Sequence, residues 1–130
     1  MRSGQQNKGL ALNGKIMVFS HIGAPTHYSL KLGENHIGRL YPDGDVPDIP
    51  VQDNFTSRFH AVITISKLSN GTFQYLLTDN NKNGSGKAST NGTYVNESLK
   101  RISEEEVYVL KAFDKIRVGK TELIFKIIEE

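Results

Sequence analysis

The chain has 130 residues, 37% of them hydrophobic and 23% charged, which are the proportions of one folded domain and exclude a disordered chain. Sixteen Lys and Arg against fourteen Asp and Glu leave a net charge of +2, too little for a general field to hold nucleic acid or a membrane surface, so any anion site must be local. No cysteine is present, which excludes disulfides and thiol chemistry, and no apolar run approaches the roughly 18 residues of a membrane-spanning helix.

Residues 1–14, MRSGQQNKGLALNG, are small and polar and lack the apolar stretch of a signal peptide. A flexible tail over 1–14, a domain over 15–130 and a cytoplasmic location are therefore expected. From Lys15 onward the apolar period is two. In FHAVITIS, Ala61, Ile63 and Ile65 fall on one face and Val62 and Thr64 on the other, as a pleated strand requires. KIMVFS, HYSLKL, TFQYLLT, TYVN, EVYVL, DKIRV and ELIFKII are similar short runs rich in β-branched or aromatic residues.

Turn formers separate these runs at Ile22 to Thr26, Gly33 to Asn35, Tyr41 to Pro47, Ser69 to Gly71 and Asn80 to Gly86. SEEEV, from Ser103, predicts one helical turn at most. The pattern predicts an all-β antiparallel sandwich with loops gathered at its ends. Asn-x-Ser/Thr triplets begin at Asn54, Asn70, Asn83, Asn91 and Asn96; without a secretion signal they mark Asn-rich turns and not glycosylation sites.

Several chemistries can be set aside. GSGK, from Gly84, resembles the end of a Walker loop, but Asn81 stands at the leading glycine position, Ala88 closes it and a strand follows. Ser57 and His60 lack an orienting third group and a nucleophile elbow. His21, His27, His36 and His60 show no metal-ligand spacing, so neither a metal nor a cofactor is expected. Six phenylalanines, five tyrosines and a near-balanced charge do not make the basic, aromatic face of a nucleic-acid reader.

Three segments remain, each where a strand meets a loop: HIGR from His36, TSRFHA from Thr56 and STNGTYVN from Ser89. If they converge at one rim, Arg39 offers a planar fork of donors, Ser57 and Thr90 offer short hydroxyls, and Arg58 adds a cation; together these suit a phosphate group. Read singly, the same residues are a strand-end arginine, a turn serine and an Asn91-Gly92 hairpin turn.

The ordered set closely resembles the forkhead-associated (FHA) domain, from about Lys15 to Ile128, through Gly38-Arg39, the box Ser57-Arg58-x-His60-Ala61, the box Ser89 to Asn96, and the closing L-x-x-x-D-x-I-x-x-G from Leu110 to Gly119. That resemblance implies a β-sandwich of about eleven strands that binds phosphothreonine in partner proteins as a signalling or assembly adaptor, without enzymatic activity. It implies that Arg39, Ser57 and Thr90 contact the phosphate with Arg58 assisting, that Asn91 bonds the ligand backbone, and that His60 braces the Ser57 loop from inside. Gly38 and Gly92 would allow close backbone approach and a tight turn.

A monomer is expected, with no membrane insertion and no nucleic acid. The alternative within this fold is phosphate-independent protein interaction or self-association. Three departures from the family pattern stand out: the long loop Asn80 to Ala88, the acidic YPDGDVPD after Arg39, and Phe113 where many members have glycine. Phe55 is expected to meet an apolar residue third after the phosphothreonine, and Asp43, Asp45 and Asp48 to favour basic ligand residues or simply to be solvated.

Overall fold

The computed structural model describes residues 14–19, 24–42, 44, 46–79, 88–103 and 105–127. The expected tail, apart from Gly14, lies outside them, as do His21, Asp43, Asp45 and the loop residues 80–87. Among the described residues there is no helix, and there are ten strands. They are β1 (Gly14–Phe19), β2 (Thr26–Ser29), β3 (Gly33–Arg39), β4 (Ile49–Val51), β5 (Ala61–Lys67), β6 (Phe73–Asp79), β7 (Thr93–Val95), β8 (Tyr108–Val109), β9 (Lys115–Val118) and β10 (Thr121–Ile127). They form two five-stranded sheets, ordered β2-β1-β10-β9-β7 and β4-β3-β5-β6-β8.

Alternation explains the core. β1 turns Ile16 and Val18 inward, β5 Ala61, Ile63 and Ile65, β6 Tyr75 and Leu77, and β10 Leu123 and Phe125. Each fully buried Ile, Leu or Phe side chain contributes about 1.5–3 kcal/mol. The Tyr75 and Phe125 rings meet across the sandwich with centroids 4.9 Å apart, which couples one sheet to the other. The sandwich is thus the expected one, although HYSLKL is strand only as far as Ser29 while Tyr28, Leu30 and Leu32 alternate.

Two local expectations need correction. Gly33 to Asn35 is the start of central strand β3 and not only a turn, pairing Gly33 with Ile65 and Asn35 with Ile63 on β5. Its polar sequence, GENHIGR, hides this; the buried Asn35 amide donates to the Lys31, Gly33 and Ile63 carbonyls and so stitches the preceding bend to the sheet. The other concerns direction: β4 runs parallel to β3, with Ile37 opposite Ile49 and Arg39 opposite Val51. The chain must therefore cross over between Arg39 and Ile49, as a parallel pair requires. β4 carries Pro50, which an edge strand tolerates.

Phe113 lies at φ 69°, in the left-handed region, with 71% of its surface exposed. The turn is held by the Phe113 amide on the Phe125 carbonyl and by the Asp114 carboxylate accepting from the Lys111 amide, so the backbone keeps this conformation although its side chain opposes it. Phe113→Gly is expected to stabilise the fold by about 1 kcal/mol, a rise of several degrees in Tm by calorimetry. An unchanged or lower Tm would show that the exposed ring is held by contacts worth more than the strain.

Candidate functional site

Three loops meet at one end of the sandwich, and Ser57 is where they join. Its carbonyl accepts from the Arg39 amide at the end of β3 (3.0 Å), its Oγ accepts from the Thr90 amide before β7 (3.1 Å), and its own amide donates to His60 Nδ1 (3.0 Å). Because Ser57 Oγ is already an acceptor, its proton is left to donate outward. Thr90 and Arg58 are exposed, and Arg39 and Ser57 are half-buried. The three segments, distant in sequence, are therefore contiguous in space.

The cations are held in place. Arg39 Nη2 donates to Asn54 Oδ1 (2.9 Å), and the Arg39 and Arg58 guanidiniums lie 4.9 and 4.0 Å from the centroid of the Tyr41 ring. Gly38 packs so closely on the Arg58 carbonyl that any Cβ there would collide with backbone, which explains glycine immediately before Arg39. Asn91 Nδ2 donates to the Phe55 carbonyl (2.8 Å) and ties the turn before β7 to the Ser57 loop; one amide proton remains for a ligand.

His60 is fully buried behind this surface. Its Nδ1 accepts from Ser57, so the ring is neutral with its proton on Nε2, which donates to the Gly92 carbonyl (2.9 Å). Gly92 itself has φ 88°. Burial pushes the His60 pKa down, opposed by the Gly92 carbonyl and the Asp79 carboxylate. Below the ordinary value of 6.5 the unfolded chain therefore takes up a proton that the folded chain refuses. Stability should fall as pH drops from 6.5 towards the folded value, by at most about 1.4 kcal/mol per pH unit, and level off below it. Urea melts of the wild type and His60→Gln between pH 7 and 5 should diverge, the variant showing the flatter profile; parallel profiles would show that His60 titrates normally.

The sequence did not single out the residues that anchor the loops. Buried Asp53 accepts from the Phe55 amide (2.7 Å), the Lys120 amide (2.6 Å) and the Thr121 hydroxyl (2.8 Å), locking the Ser57 loop to the turn between β9 and β10. Burial would raise its pKa, but these donors outweigh it and hold the carboxyl below its usual range. The Asp53–Phe55 bond is an Asx turn, a signal legible in DNFTS.

Buried Asp79 accepts from the Ser89 amide (3.1 Å) and the Thr93 hydroxyl (2.7 Å), while Arg101 Nη2 donates to the Ser89 carbonyl (2.6 Å). This sets the pose of Thr90 and Asn91; no short-range pattern links Asp79 to Ser89 or Arg101. Asp48 does not face a ligand freely: it accepts from Lys31 Nζ (3.0 Å) and the His36 amide (2.8 Å). Beside Arg39 a cleft of about 800 Å³ opens, lined among others by Leu40, Pro42, Asn54, Phe55 and Lys120. Phe55 is 48% exposed there, with Lys120 Nζ 4.5 Å from its ring centroid. Among the described residues no helix is long and apolar enough to cross a membrane, and no acidic, His or Cys cluster could hold a metal.

The family model described as FHA domain matches residues 35–119. The FhaA FHA domain, solved in complex with the intracellular domain of Rv3910, is 28% identical over 87% of this chain and 99% of its own, with a TM-score of 0.63. EmbR of Mycobacterium tuberculosis, solved with a low-affinity phosphopeptide, is 28% identical over 100% of this chain but 27% of its own, with a TM-score of 0.63. The FHA domain of the Chlamydia trachomatis protein CT664 shares the fold at 24% identity, with a TM-score of 0.66 over 90% of this chain and 99% of that one. No curated protein matches the sequence.

Proposed function

The chain belongs to the FHA-domain family, and from that premise we propose that it is a protein-interaction module that binds phosphothreonine in its partners and works as an adaptor, not as an enzyme. The observation that carries this reading is the junction at Ser57, whose carbonyl and hydroxyl oxygens accept from the Arg39 and Thr90 amides. A dianion seated at this junction takes hydrogen bonds from the Arg39 fork and from the Ser57 and Thr90 hydroxyls, with Arg58 adding charge from the side. Asn91 holds the ligand backbone with its remaining amide proton.

Each charge-assisted bond contributes about 1.5–3 kcal/mol, and ordering a peptide offsets part of the sum, so micromolar affinity is expected. The threonine methyl, at about 0.8 kcal/mol, favours phosphothreonine over phosphoserine a few-fold by burial alone. Phe55, with Leu40 and Pro42 in the adjoining cleft, favours an apolar residue third after the phosphothreonine. The domain is read as extending over 15–130, and as monomeric and cytoplasmic.

Titrating one degenerate peptide pool in phosphothreonine, phosphoserine and unphosphorylated forms tests this. Binding is expected in that order, with the unphosphorylated pool at least about thirtyfold weaker than the first. Equal binding of all three would overturn the reading in favour of phosphate-independent assembly.

A further inference from the structure

Resting on the phosphate-binding reading above, we propose that Tyr41 is a positioning residue of the clamp, whose ring gathers Arg39 and Arg58 into one cationic pair before any ligand arrives. Both guanidiniums lie over this ring, at 4.9 and 4.0 Å from its centroid. They are therefore within about 9 Å of each other, close enough to repel across a partly solvated surface. Arg58 is exposed and Arg39 half-buried, so free rotamers would let the two heads separate into water.

Backbone contacts alone do not prevent this. The Arg58 carbonyl is fixed against Gly38 and the Arg39 amide is fixed on Ser57, yet neither contact constrains a guanidinium several bonds away. Asn54 fixes Arg39 Nη2 only. The negative face of an aromatic ring attracts both cations at once and limits their rotamers, which lowers the ordering cost when a dianion binds. Tyr41 is suited to this by place: it follows Arg39 by two residues, just past the end of β3, and both guanidiniums reach its ring. An aliphatic residue would offer the contact without the quadrupole.

The test uses the phosphothreonine peptide pool and its unphosphorylated counterpart with the wild type, Tyr41→Phe, Tyr41→Leu and a series carrying mono-, di- and trifluorophenylalanine at position 41. Tyr41→Phe should bind the phosphorylated pool within about twofold of the wild type, and Tyr41→Leu about tenfold more weakly, with binding of the unphosphorylated pool and Tm unchanged. Affinity should step down with each fluorine, because fluorination drains the ring face at almost constant shape.

If Tyr41→Leu does not fold, the fluorinated series decides alone. A fluorinated ring, or a folded Tyr41→Leu, that binds as well as Tyr41→Phe while the wild type still discriminates by phosphate overturns the assignment of Tyr41. A wild type without phosphate discrimination overturns the parent reading, and this inference with it.

Discussion

Arg39→Ala should weaken binding of the phosphothreonine pool by roughly 2–3 kcal/mol, about thirty- to 150-fold, while the unphosphorylated pool is bound as before. The Arg39 guanidinium is a planar fork held at the junction, fixed by Asn54 on one side and lying over Tyr41 on another. Its loss removes charge and directed donors together. Arg39→Lys should recover only part of the affinity, since an ammonium keeps the charge without the fork. The side chain is half-buried and its neighbours are surface groups, so the melting temperature should move by no more than a few degrees. An Arg39→Ala protein that still distinguishes phosphorylated from unphosphorylated peptide would place the clamp elsewhere.

Gly38→Ala should act through the fold and not through charge. The added methyl would land on the Arg58 carbonyl oxygen, and neither backbone can retreat: Gly38 is paired with Pro50 in β3–β4, and Arg58 lies between Ser57 and His60, both tied by hydrogen bonds. A destabilisation of about 3 kcal/mol or more is expected from urea or thermal melts, with phosphopeptide binding lost even below the melting point because the Ser57 loop must move. A Gly38→Ala protein with wild-type stability would mean that the loop packs differently on β3. The two substitutions are neighbours in sequence and should separate cleanly, one sparing the fold and the other not.

Much of the candidate site was legible before any fold was known, and what escaped shares a cause. Arg39, Ser57 and Thr90 stand in short motifs whose side chains, taken together, suit an anion, and Asn91 came with the family resemblance. Tyr41, Asn54, Asp79 and Arg101 carry no such announcement. Each acts by touching something remote or differently oriented: Tyr41 reaches Arg58, and Asp79 reaches Ser89 across the long loop. Asp53 is intermediate, since its Asx turn is local while its bond to the Lys120 amide crosses the molecule.

The amino-acid order settled the class of the fold and the edges of its strongest strands, because alternation with period two states which face each residue buries and needs no partner to be read. It also settled the chemistry on offer, a guanidinium and hydroxyls in three boxes. Pairing was decided only in three dimensions. GENHIGR becomes a central strand because β4 and β5 flank it, β4 pairs with β3 in parallel and not antiparallel, and Phe113 keeps a left-handed backbone because its neighbours hold the turn. These outcomes depend on hydrogen bonds between residues far apart in the chain, and a local pattern holds no information about partners it does not contain.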